Sequence, residues 1–282
     1  MPKQDVNVKG YVRRGKLVRN YKRKQDRKNN TLLNTAKIIG GALGVSAITY
    51  LVLRKRYVNN LNVVANNLKA NPDIGEKLAD NVKDITFTIG GFGSGKAKGD
   101  ESPLKQAEAI MTAIRKDMNS KVRKNHKFVA LDHNFTFTPP KNQILYFPTA
   151  FKKISSPLFS GRNDESVKLA EQIYSWYMKN PTKKINIIGY SAGSNMARDI
   201  QFMLDKKGVK LKLTTIASSD FKIHPTKKAL NIMGDNDWFA PLKSKNAVVI
   251  NNINTHMLNA YLQEGKGTNK LVTLPIIKYL YD

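Results

Sequence analysis

The amino-acid sequence predicts an α/β architecture: a mostly parallel central sheet covered by helices in three layers, behind a basic N-terminal segment. Three observations lead there. From about residue 58, short apolar strands alternate with amphipathic helices, the pattern of parallel strands joined by helical crossovers. The turn Gly189-Tyr190-Ser191-Ala192-Gly193 falls between one such strand and one such helix. Upstream, the 22-residue run Leu32–Leu53 carries a single charge, Lys37, and separates this region from a strongly basic beginning.

Residues 1–30 hold eleven Lys/Arg against Asp5 and Asp26, with few apolar side chains. Such a segment cannot bury enough surface to fold alone, and it reads as a disordered basic arm. Tyr11 and Tyr21 offer rings that stack on nucleic-acid bases, but no periodic pattern surrounds them. Residues 31–57 read as a membrane-anchor helix. At about 1.5 Å per residue, Leu32–Leu53 is long enough to cross a hydrocarbon core of about 30 Å. Gly40 and Gly44 have the GxxxG spacing of membrane helices, and Arg54, Lys55, Arg56 and Tyr57 suit the interface. Orientation stays open, because the basic arm favours a cytoplasmic N-terminus while the Arg-Lys-Arg cluster argues the reverse.

Residues 58–282 form the expected α/β domain. Its strands are Asp84–Ile89, Lys127–Leu131, Ile185–Ile188, Leu211–Ala217, Ala229–Met233 and Ala247–Ile253. Its helices are Leu104–Met118, with Ala107, Ile110, Met111 and Ile114 on one face, Asp164–Lys179, and a third through Met196, Ile200 and Met203. The longest irregular stretch, Asn134–Ser160, is a candidate lid.

The formal net charge is +27 with a pI of about 10.1, and residues 57–282 alone contribute +14. A field of this sign draws the protein toward anionic surfaces such as phospholipid headgroups or nucleic acid. Cysteine is absent. That excludes disulfides, thiolate metal sites and a cysteine nucleophile, and leaves the redox compartment open.

The GxSxG turn carries the chemistry. Its glycines permit a strained strand-to-helix turn that lifts the serine hydroxyl off the sheet edge. The helix behind it then offers backbone N–H groups and a positive dipole end to a developing oxyanion. A nucleophilic serine also needs a base, and the base an orienting acid.

On these motifs residues 80–282 resemble the α/β-hydrolase family, whose triad runs serine, acid, histidine along the chain. The resemblance implies His256 as base, the one histidine downstream of both the serine and a suitable acid. His224 precedes the acid, and His126 and His133 precede the serine. In the family's acid loop, here Gly234-Asp235-Asn236-Asp237-Trp238-Phe239-Ala240-Pro241, the spacing selects Asp237, with Asp235 in reserve and Asp220 third. The oxyanion hole would combine the N–H of Ala192 with one from Gly90-Gly91-Phe92-Gly93, from Phe92 or Gly91; Ile89 stands where the family often has histidine. The implied activity is that of a serine esterase or lipase working through an acyl-enzyme without cofactor or metal. Its substrate would be a small-molecule or lipid ester, in a membrane-associated chain.

Two other readings share these residues. Gly90-x4-Gly95-Lys96-Ala97 approximates a phosphate-binding loop, with Asp132 as a magnesium-site acid, but Ala97 lacks the hydroxyl and Lys98-Gly99-Asp100-Glu101-Ser102-Pro103 breaks the helix such a loop needs. Alternatively, the hydrolase fold serves binding at a membrane or nucleic acid, with catalysis incidental.

Overall fold

The structure, a computed structural model, describes residues 47–94, 102–134, 163–218, 229–235, 237, 247–253, 256–264 and 267–281, with the short pairs 6–7, 12–13, 16–17, 22–23 and 136–137. The chain divides into two compact units, Met1–Tyr50 and Leu51–Asp282. In the first, Val6–Asn7 pairs antiparallel with Lys22–Arg23, and Val12–Arg13 with Lys16–Leu17; the rest of residues 1–30, read from composition as a disordered arm, lies outside the described residues.

The second unit is built on six parallel strands: β1 (Asp84–Ile89), β2 (His126–Leu131), β3 (Lys184–Tyr190), β4 (Leu211–Ile216), β5 (Ala229–Gly234) and β6 (Ala247–Ile250). Their order across the sheet is β6-β5-β4-β3-β1-β2. Every neighbouring pair runs parallel. Chain order therefore reverses between β1 and β3. In open parallel sheets the crevice at the carboxyl ends of the strands flanking such a reversal is where ligands bind. Central strands must be apolar on both faces, and β1 and β3 meet this with β-branched runs whose last five and six residues respectively are buried.

Four principal helices cover the sheet. Helix α2 (Pro103–Asp117) starts from Ser102, whose side chain accepts from the Lys105 N–H, with Pro103 at its first position. Helix α3 (Asp164–Lys179) is capped by Asn163 and has Asp164 and Glu165 in its first turn. Helix α4 (Ala192–Lys206) follows β3 and has no side-chain cap. The short α5 (Leu258–Leu262) precedes α6 (Lys270–Tyr281). Ile188 and Tyr190 of β3 join Ile110 and Ile114 of α2, Tyr261 of α5 and Val272 and Ile276 of α6 in one core cluster. Strand alternation sends Ile185 and Ile187 to the opposite face. There α3 packs against α4, and Trp176 meets the ring of Phe87 edge-on at 6.2 Å.

One helix corrects the sequence reading. Helix α1 runs Ala47–Asn67, through Arg54, Lys55 and Arg56, and does not end at Tyr57. Tyr57, expected at a membrane interface, is buried and donates its hydroxyl to Oδ2 of Asp199 on α4 at 2.7 Å. The same oxygen accepts from Ser166 Oγ at 3.0 Å. The boundary expected at residues 57/58 therefore falls inside a continuous helix. Among the described residues no helix is long and apolar enough to cross a membrane. Residues 31–46, most of the expected anchor, lie outside the described residues, as does nearly all of Asn134–Ser160.

Candidate active site

Ser191 sits between β3 and α4, at the carboxyl edge beside the reversal in strand order. Its backbone has φ 53° and ψ −119°, a strained conformation for a residue with a Cβ. Close packing holds the turn. A Cβ on Gly189 would lie 2.5 Å from the carbonyl oxygen of Gly193, and one on Gly193 would lie 2.1 Å from that of Gly90. Only hydrogen fits at either place, so the first turn of α4 presses directly on the end of β1.

Three side chains from separate strand ends meet there. Ser191 Oγ lies 2.7 Å from Nε2 of His256. His256 Nδ1 lies 2.9 Å from Oδ2 and 3.0 Å from Oδ1 of Asp237. Because the carboxylate only accepts, Nδ1 carries the proton and Nε2 presents its lone pair to the serine hydroxyl. The side chain of Asp237 is fully enclosed and that of His256 is 16% exposed. The imidazole is therefore open to a ligand while its partner is shielded. Tyr190 steadies the ring, donating its hydroxyl to the His256 carbonyl and stacking against the imidazole at 5.7 Å with 25° between planes.

The two aspartates of the acid loop part ways. Asp235 accepts from the amides of Asn252 and Ile253, both at 3.1 Å, and so ties the turn after β6 to the end of β5. Asp237 faces His256. Asp220 and His224 lie outside the described residues.

The glycine loop after β1 lies against the serine: a Cβ on Gly91 would come within 3.0 Å of Ser191 Cβ. Of the two sequence candidates for a donor here, Gly91 gives its N–H to Oε1 of Gln106 at 2.7 Å. That directs it away from any oxyanion. Gln106 Nε2 in turn donates to the Phe92 carbonyl at 3.2 Å, which fixes the plane of the Phe92–Gly93 peptide. Ala192, first in α4, has no intrahelical acceptor for its N–H. His133 completes the loop, its Nε2 lying 3.0 Å from the Gly90 carbonyl. Burial lowers its pKa, opposed by that bond and by Glu165 and Asp132, so a neutral ring donates Nε2–H to the carbonyl. His126 stands apart at the start of β2, its Nε2 2.8 Å from Thr86 Oγ1 and 3.0 Å from the Tyr281 hydroxyl.

Sequence reasoning passed over Gln106, His133, Tyr190 and Tyr261. Their contacts are mostly made across long chain separations and leave no local pattern. Gly95, Lys96 and Ala97 lie outside the described residues. Within the described loop, the Gly91 N–H is engaged by a side chain, whereas a phosphate cradle needs such amides convergent on an anion. Among the described residues no cluster of His, Asp or Glu could hold a metal ion.

No protein-family model and no curated protein matches the chain. Solved structures similar to it include an α/β serine hydrolase without a lid from Xanthomonas campestris, at 12% identity and TM-score 0.39, covering 67% of this chain and 77% of that one. Another is a Trichoderma reesei cutinase in complex with a phosphonate inhibitor, at 12% identity and TM-score 0.39 over 75% of this chain and 85% of that one. A third is an uncharacterized protein from Bacillus cereus, at 13% identity and TM-score 0.41 over 78% of this chain and 66% of that one.

Proposed function

We propose that the chain is a serine hydrolase that cleaves a carboxylic ester through an acyl-enzyme. The reading rests on one observation above all: Ser191 Oγ, His256 and Asp237 are bonded in series at 2.7 and 2.9 Å, with the serine on a strained strand-to-helix turn. In this reading His256 Nε2 takes the hydroxyl proton as Ser191 Oγ attacks the ester carbonyl, and Asp237 stabilises the imidazolium through Nδ1–H. The negative charge on the former carbonyl oxygen is met by the N–H groups of Ala192 and Phe92. His256 gives its proton to the departing alkoxide, so alcohol leaves and acyl-Ser191 remains. Water, deprotonated by the same histidine, then releases the carboxylic acid and restores the serine. The steps call for no cofactor and no metal.

The charge of +27 supports a lipid ester presented at an anionic surface, with residues 1–30 contributing attraction to phosphate-bearing surfaces, nucleic acid included. Among the described residues the binding and phosphate-loop readings have no comparable geometric support.

Fluorescent fluorophosphonate labelling of the purified chain tests this. We expect covalent labelling of the parent and none of Ser191→Ala, with hydrolysis of short p-nitrophenyl esters lost in the same variant. A parent that takes up no label and turns over no ester sinks the reading. Salt-dependent DNA binding that survives deletion of residues 1–30 would then favour the binding protein.

A further inference from the structure

We infer that Tyr261 is a positioning residue of this site, holding the Asp237 carboxylate in line with His256. For its catalytic consequence the inference rests on the serine-hydrolase reading; its geometry stands independently. The Tyr261 hydroxyl lies 2.5 Å from Oδ2 of Asp237 and 2.9 Å from the amide nitrogen of Gly234. Both bonds have a forced direction. The Gly234 amide can only donate and the carboxylate can only accept, so the phenol accepts from one and donates to the other.

What the Tyr261 donor adds follows from how His256 meets the acid. Its Nδ1 is almost equidistant from Oδ1 and Oδ2, at 3.0 and 2.9 Å. A single N–H between two oxygens does little to resist rotation of the carboxyl group. A second donor on Oδ2 from another direction resists it. The phenol is itself immobile: Tyr261 is fully buried in the core cluster with Ile232, Ile253 and Leu258. Gly234 ends β5, paired in register with Ile250 of β6. An unbroken path of hydrogen bonds thus leads from sheet backbone through Tyr261, Asp237 and His256 to Ser191, which places the nucleophile's base by reference to the most rigid part of the fold.

Burial, reinforced by the bond to Asp237, raises the Tyr261 phenol well above its ordinary value. It therefore remains a protonated donor across the neutral and mildly alkaline range. The core position alone would be equally well filled by phenylalanine, which makes the hydroxyl the feature to test.

The experiment uses the full chain and two readouts. Tyr261→Phe should lower kcat for a p-nitrophenyl ester about ten- to a hundredfold with KM unchanged, the range expected for losing a hydrogen bond to a charged group. In proton NMR of the parent, the downfield Nδ1 proton of His256 should cross-relax with the Tyr261 hydroxyl proton, since both are donated to Oδ2, and the Nδ1 signal should broaden in Tyr261→Phe. The cross-peak in the parent needs no activity and no variant that folds. If the parent shows the cross-peak but takes up no fluorophosphonate, the hydrolase reading fails while the placement of Tyr261 holds. If the parent is active but lacks the cross-peak, or if a folded Tyr261→Phe keeps both kcat and the Nδ1 signal, the inference is overturned.

Discussion

The side chain of Gln106 brackets one peptide of the glycine loop, accepting from the Gly91 N–H at 2.7 Å and donating to the Phe92 carbonyl at 3.2 Å. A side-chain amide has a donor and an acceptor on one plane, so it engages the loop as a neighbouring strand would. The loop lies against Ser191, and its peptide orientation decides which N–H faces a reacting carbonyl oxygen.

Gln106→Glu keeps the acceptor for Gly91 but sets a carboxylate oxygen against the Phe92 carbonyl. We expect kcat to fall at least tenfold with KM within about twofold, because oxyanion contacts strengthen only in the transition state. Steady-state kinetics on a p-nitrophenyl ester check this, and an unchanged kcat would remove Gln106 from the account.

The two acidic residues three positions from the end of β5 and one from it should separate cleanly by phenotype. Asp237→Asn should lower kcat by a factor on the order of 10⁴, as expected when the acid partner of a triad histidine is neutralised. Asp235→Ala removes the acceptor for the Asn252 and Ile253 amides. It should cost about 1–3 kcal/mol in urea unfolding while fluorophosphonate labelling persists.

Acid should weaken the fold through His126. Burial, with Arg115 nearby, lowers its pKa to about 3 from the ordinary 6.5. Between these values the unfolded chain binds a proton that the folded chain refuses. The stabilisation is therefore complete above about pH 6.5 and is lost as pH falls toward 3. Urea titrations at pH 7.5 and pH 5 should show the loss, and His126→Gln should flatten it. A pH dependence identical in parent and variant would point to other groups.

Two glycine substitutions make a paired test of packing against backbone freedom. Gly193→Ala drives a methyl to 2.1 Å from the Gly90 carbonyl oxygen, and should destabilise the chain by about 3 kcal/mol or more and abolish labelling. Gly208→Ala meets nothing within 4 Å but keeps a φ of +78°. It should cost about 1–2 kcal/mol and leave labelling intact.

The sheet was legible because its strands are short β-branched runs, and Asp164–Lys179 because its apolar stripe keeps helical period between clear caps. The strand expected over Ala247–Ile253 stops at Ile250, where Asn252 turns with a φ of 67°. Helix α6 escaped notice because Pro275 stands inside it, and proline within a periodic pattern argues for a break. Helix α1 was misread for the opposite reason. The apolar run and its Arg54–Tyr57 flank set its apparent end at residue 57, while its true length depends on Tyr57 and Leu61 finding burial. At the site, sequence order singled out three residues that the fold does bond in series. It could not choose between Gly91 and Phe92, because the bond that engages the Gly91 N–H comes from Gln106, fifteen residues further along the chain.

The dihedral angles of Ser191 carry a thermodynamic implication. A φ of 53° in a residue with a Cβ is a conformation that glycine adopts freely and serine resists. Replacing Ser191 by glycine should thus yield a chain that melts higher and takes up no fluorophosphonate, whereas most losses of a buried side chain lower the melting point. Native folding and reactivity pull in opposite directions at this one residue. A calorimetric scan of the inert variant would measure, as a shift in degrees, how much of the molecule's conformational free energy is held in readiness for its chemistry.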